Sequence, residues 1–141
     1  MNGIAAPIVA AEPASMADVL RPRRSVSVVM VVYMTGEALA QSVERVLADP
    51  LVDEFVIVDN GSAPEEAQLL RALAARDDRV VLLAGHGNIG FARGANLGAR
   101  NAAGDLLVFL NPDAFLQPGC IAELVREIEG RPVPCLVGGR I

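Results

Sequence analysis

Val56-Ile57-Val58-Asp59-Asn60-Gly61-Ser62 is an apolar run, with β-branched residues at three successive positions, that stops on a carboxylate and passes into a turn. A run without polar alternation suits a strand buried on both faces of a parallel sheet. Starting from Phe55, it is joined by three stretches of the same kind: Val26 to Tyr33, Val80 to Leu83 and Leu106 to Leu110. Parallel strands need crossover connections, and the intervening segments have helical character. Leu39, Val43, Val46 and Leu47 fall at i, i+4, i+7 and i+8, on one face of a helix that ends before Asp49-Pro50.

Ser62-Ala63-Pro64-Glu65 has capping-box spacing and opens a second helix with Leu69, Leu70 and Leu73 inward. A third helix is expected from about Ala92 to Ala102, where Gly94, Ala95, Gly98 and Ala99 allow close approach to the sheet or a ligand. A fourth opens at Pro118, with Ile121, Leu124, Val125 and Ile128 on one side. Cys135 to Val137 reads as a further short strand. This βαβαβαβα order predicts a doubly wound, mostly parallel α/β sheet with helices on both faces. Residues 1–24, rich in Ala and Pro and closing on Arg21-Pro22-Arg23-Arg24, read as a loosely held tail before a folded unit spanning 25–141.

Composition narrows the function. The formal net charge is −5, and no basic run offers a surface to nucleic acid. Every cation is an arginine, so a mechanism through a lysine Schiff base or lysine general base is excluded. Cys120 and Cys135 lack the spacing of a zinc site or disulfide framework and read as buried thiols of a reducing compartment. No apolar stretch reaches the roughly 20 residues that span a bilayer. The run Ile4 to Ala11 has no basic segment before it and does not read as a signal peptide.

In a doubly wound sheet, ligands bind beyond the carboxyl ends of the strands. The residues there are Tyr33 to Gly36, Asp59 to Ser62, Gly85 to Asn88 and Asn111 to Asp113, which points to one shared cleft. Asp59 is placed to accept a hydrogen bond from a base imide or a ribose hydroxyl, and serves equally well as a turn residue. Asp113, in Leu110-Asn111-Pro112-Asp113-Ala114, is placed to hold Mg²⁺ or Mn²⁺ beside a diphosphate. Asn88-Ile89-Gly90-Phe91-Ala92-Arg93-Gly94-Ala95-Asn96 leads a loop into the small-residue helix, with Arg93 available to a phosphate. Tyr33, the only tyrosine, can stack on a base or pack at the sheet edge, while His86, the only histidine, reads as a solvated loop side chain.

Taken in order, Val28-Val29-Met30-Val31-Val32-Tyr33 and the three segments around Asp59, Arg93 and Asp113 resemble family 2 glycosyltransferases of the A-type fold, over residues 25 to about 141. The Asn-Ile-Gly-Phe and Leu-Asn-Pro-Asp wording looks most like the rhamnosyltransferase-type subgroup. The resemblance implies that Asp59 contacts the nucleoside base beside Tyr33, with Asn60 and Asn88 on neighbouring donor-binding loops. It implies that Arg93 and Asn96 line the donor pocket. Asp113 corresponds to the metal-binding carboxylate of the family's Asp-x-Asp motif, whose first acid is here Asn111.

A dTDP- or UDP-linked sugar as donor, a glycan or glycolipid as acceptor, and Mg²⁺ or Mn²⁺ as cofactor follow as expectations. The resemblance implies a cytoplasmic protein, with peripheral association at the inner face of the membrane as an option. Inverting members carry their catalytic base after the Asp-x-Asp segment. The acids available there, Glu123, Glu127 and Glu129, read as the solvated face of a helix, so the base is not expected in this chain. The chain therefore reads as the N-terminal, donor-binding half of the fold, truncated before the acceptor half, with an uncovered apolar flank that favours self-association. A catalytically silent nucleotide-sugar-binding module and a flavodoxin-like or Rossmann-like binding protein are the competing readings.

Overall fold

A computed structural model describes residues 23–129, 131 and 135–139. Its elements follow the order β1 (Val26–Val32), α1 (Ala38–Ala48), β2 (Glu54–Asp59), α2 (Pro64–Arg76), β3 (Val80–Leu83), α3 (Phe91–Asn101), β4 (Leu106–Phe109) and α4 (Cys120–Glu129). The strands form one sheet in the order β3-β2-β1-β4, and every pairing is parallel. The chain builds outward from β1 through β2 to β3, then returns to place β4 on the other side of β1. That reversal creates a switch point between β1 and β4, where the loops leaving the two strands diverge.

Alternate residues of the central strands serve different layers, as the period of a strand requires. Val28, Met30 and Val32 of β1 join Phe55 and Ile57 of β2 in the main core, against Leu39, Val43 and Val46 of α1, Leu70 and Leu73 of α2, and Ile121 of α4. On the opposite face, Val29, Val31 and Val58 meet the glycine side of α3. Helices thus lie on both faces, as the sequence pattern implies.

Burial on both faces holds for β1 and for the middle of β2, but not for the edges. Leu107 and Phe109 of β4 are exposed, because α3 lies over β1 and β2 and leaves this side of the edge strand uncovered. The continuous apolar run Leu106 to Leu110 therefore has one open side.

Three local expectations are corrected. The first residue of α2 follows Ala63 rather than Ser62, and no side chain caps it. The amides of Gly61 and Ser62 instead donate to Asp59 Oδ1, which draws Ser62 into the preceding turn. Leu69 is exposed rather than inward, since Leu70 and Leu73 already fill the side of α2 that faces the sheet. Cys135 to Val137 has no strand conformation and makes no sheet pairing. Residues 1–22 of the expected tail lie outside the described residues. Arg23, at its end, is held by a two-pronged ion pair to Asp53, at 2.6 and 3.0 Å.

Candidate functional site

Because the strands are parallel, their two ends gather different chemistry. At the amino edge, carboxylates tie strand starts together. Asp53 accepts from Arg23 and from the Val26 amide, and these bonds hold its carboxyl below the ordinary range, the Arg23 side chain contributing most. The Ser25 amide and hydroxyl do the same for Asp105. Asp77 is lowered in the same direction by the Arg79 side chain and then the Arg79 amide. These acids are structural fasteners, remote from the switch point.

The carboxyl edge is organised by amides and side chains that cross between loops. Asn60 directly follows Asp59 and continues the ladder, its N–H donating to Val32 O at 2.8 Å. Its side chain is 3% exposed. There Nδ2 donates to Asn88 Oδ1 at 3.1 Å, and Oδ1 accepts from the Ile89 amide at 2.9 Å. Asn88 Oδ1 also accepts from the Gly90 amide at 2.9 Å. Gly90, at φ 83, turns the chain into α3 without a side-chain cap. The Asp59 turn and the entry to α3 therefore form one surface, joined through a buried amide with both ends used.

Asp59 itself is half-buried at the end of β2, with Oδ1 committed to the turn amides at 2.8 and 3.2 Å. Both roles read from the sequence remain compatible, because a carboxylate offers a second oxygen. Tyr33 follows β1 rather than belonging to it, and its ring is 48% exposed. Asn88, Arg93, Asn96, Asn111 and Asp113 are all exposed. Arg93 makes no ion pair among the described residues. With β1 between β2 and β4, Asp59 and the strand leading to Asp113 are separated laterally by two strand spacings, roughly 10 Å.

The Asp113 loop is pinned by α1, through residues that the sequence reading did not single out. Ser42 Oγ donates to Ala114 O at 2.7 Å, and Arg45 donates to Leu116 O at 3.3 Å while lying over the Phe115 ring. Neither residue carries a sequence signal, since the contacts span about 70 residues. His86 corrects the expectation of a solvated side chain. Its Nδ1 lies 2.7 Å from Gly87 O, and Nε2 is shielded from solvent with no partner among the described residues.

Among the described residues, no cluster of three or more His, Cys, Asp or Glu could enclose a metal ion by itself. Asp113 supplies one carboxylate oxygen donor set, which suits a hard divalent cation that takes its remaining ligands from phosphate and water. No helix among these residues is long and apolar enough to cross a membrane. Two surface grooves, one between α1 and α2 and one lined by α1, residues 49–51 and residues 116–119, include none of the expected site residues.

The family model described as glycosyl transferase family 2 matches residues 27–141. Glycosyltransferase GlyG of Streptococcus pneumoniae serotype 4 is 26% identical over 114 residues, which is 80% of this chain and 38% of the relative. The glucosyl-dolichyl phosphate glucuronosyltransferase of Haloferax volcanii is 34% identical over 82% of this chain and 38% of its own length. The chain thus spans less than two fifths of these relatives. Among solved structures, the mannosyltransferase PcManGT from Pyrobaculum calidifontis, in complex with GDP-Man and Mn2+, superposes with a TM-score of 0.70 at 20% identity, over 79% of this chain and 34% of that one.

Proposed function

Since the chain belongs to glycosyl transferase family 2, we propose that its carboxyl sheet edge binds the nucleoside diphosphate of an activated sugar, as the donor-binding portion of an enzyme that transfers the sugar to a glycan or glycolipid. The observation that carries this reading is the buried Asn60 bridge, which makes a single surface of the Asp59 turn and the entry to α3. Across that surface, Asp59 accepts from the base imide and Tyr33 stacks on the base. Asn96 and Asn111 serve the sugar hydroxyls. Arg93, exposed and unpaired among the described residues, meets the diphosphate.

Asp113 holds Mg²⁺ or Mn²⁺ together with the phosphate oxygens. When bound, the ion supplies neutralisation of the charge that gathers on a departing nucleoside diphosphate. The Ser42 and Arg45 contacts keep this loop in place at the switch point. We further assign the donor to the dTDP- or UDP-linked sugars, with rhamnose as the sugar favoured by the Asn-Ile-Gly-Phe and Leu-Asn-Pro-Asp segments. The place of action is the cytoplasm or the inner face of its membrane. The exposed Leu107 and Phe109 provide a surface for self-association.

Titration calorimetry with dTDP, UDP, ADP and GDP tests the donor class. Heat is expected for the pyrimidine nucleotides in preference to the purines, and equal or absent heat with all four sinks the assignment. Asp59→Asn is expected to weaken pyrimidine nucleotide binding by about 1 to 3 kcal/mol, because a charged acceptor becomes a neutral one. In the same assay, Asp113→Ala is expected to abolish the dependence of nucleotide affinity on Mg²⁺ or Mn²⁺. The residue is exposed beyond β4, so far-ultraviolet circular dichroism should not change. Metal dependence that survives this substitution moves the ion elsewhere.

A second reading, confined to these 141 residues, is a binding module without transfer, because the described acids after Asp113 are exposed and two of them face arginines. Glu123 pairs with Arg126 and Glu127 lies 3.6 Å from Arg131, all on exposed side chains. Glu129 is exposed on the same helix. Acceptor-dependent turnover separates the two readings.

A further inference from the structure

Met34, at φ 46, is the non-glycine residue with a left-handed backbone among the described residues. Gly36, two positions later, is left-handed as well, at φ 76. A side chain in that region is sterically unfavourable, so the loop following β1 keeps this shape only while surrounding contacts hold it. On one side, the Leu39 amide donates to Gly36 O at 3.2 Å and fixes the loop to the start of α1. On the other, the Gly36 amide donates to Glu66 Oε1 at 2.6 Å.

Glu66 lies in the first turn of α2, the helix that follows β2 at the same sheet edge. A carboxylate acceptor makes this bond stronger than one between neutral groups. Thr35 Oγ1 and Glu66 Oε2, on the residues that flank or make the bond, are both shielded from solvent and without partners among the described residues. Tyr33 and Met34 are 48% and 64% exposed, so the ring is set by the backbone beneath it rather than by the core.

We propose that Glu66 is a positioning residue of the donor site: by holding Gly36 it fixes the loop that presents the Tyr33 ring to the nucleobase. The proposal rests on the donor-site reading above. A purely local role is available to any acid in the first turn of α2, where the helix dipole favours negative charge. Glu65, adjacent and exposed, shares that role without a bond to the β1 loop among the described residues. Comparing the two acids therefore separates the helix from the loop.

Tyr33 is the only tyrosine and the chain has no tryptophan, so intrinsic fluorescence excited above the phenylalanine band reports this ring alone. Without nucleotide, its steady-state anisotropy is expected to fall in Glu66→Ala and in Glu66→Asp, which keeps the charge but shortens the reach. It is expected to persist in Glu66→Gln, which keeps the acceptor oxygen, and in Glu65→Ala. Affinity for dTDP or UDP is expected to drop about tenfold in Glu66→Ala, to recover in Glu66→Gln, and to fall no further when Glu66→Ala is added to Tyr33→Ala. Unchanged anisotropy in both Glu66→Ala and Glu66→Asp, or an equal loss in Glu65→Ala, overturns the positioning role. If anisotropy responds as expected while the wild-type chain binds neither nucleotide, the donor-site reading fails and the loop contact stands.

Discussion

Gly98→Leu is expected to destabilise the chain by about 3 kcal/mol or more, at the upper end of overpacking costs. A Cβ at position 98 would lie 2.4 Å from Val29 Cγ1 and 3.2 Å from Val58 Cγ2. Val29 is 1% exposed and Val58 fully buried, on the two central strands. Their β-branched side chains have few rotamers to move into, so the helix itself must shift. Leucine is the informative choice, because both alanine and leucine recover up to about 1 kcal/mol of helix propensity over glycine, and the larger leucine clash is masked by it to a smaller degree.

A shift of α3 would also carry Arg93 and Asn96 away from the sheet edge, so nucleotide affinity should fall with stability. Urea unfolding followed by circular dichroism measures the first effect. Asn101→Leu, at the exposed end of the same helix, is the control. Gly98→Ala combined with Val29→Ala should be less destabilising than the sum of the two, as expected for side chains in direct contact. A loss below about 1 kcal/mol in Gly98→Leu is incompatible with the close approach of α3 to β1.

The second large effect is catalytic. The 141-residue chain is expected to bind donor without accelerating transfer to an acceptor. Binding and transfer are separable, because the reaction needs groups set against the attacking hydroxyl in addition to those that hold the leaving group. A general base contributes about 10² to 10⁴-fold. Among the described residues after Asp113, two of the three glutamates face arginines and all three are exposed on α4.

A radiolabelled donor incubated with and without cell-derived glycolipids decides the matter. The expected result is slow hydrolysis by water, at the same rate in both samples. Acceptor-dependent consumption at roughly 100-fold or more above that rate would place the base in this chain or in a second copy of it. Substitution of Glu123, Glu127 and Glu129 would then identify it.

Much of the architecture was legible locally. Uninterrupted runs such as Val56-Ile57-Val58 mark buried strands, and the i, i+4 spacing of Leu39 and Val43 marks the inward side of α1, because side-chain direction repeats with a fixed period. The positions of Asp59 and Asp113 just beyond apolar runs, and the small-residue stretch from Gly94 to Gly98, could likewise be read directly. Their shared edge follows from parallel strands, whatever the order of those strands.

Other features depended on which strands became neighbours. The sequence by itself determined the strand and helix types, their alternation and the set of residues available at the carboxyl edge. Only the tertiary structure decided that Leu107 and Phe109 would face outward while Val29 received α3, and that Asn60 would join Asn88. It also brought Glu66 to Gly36 and Ser42 to the Asp113 loop. The physical reason is that periodicity and turn chemistry act over a few residues, whereas these contacts join positions 28 to 72 residues apart and exist only once the β3-β2-β1-β4 order has folded the loops onto one another.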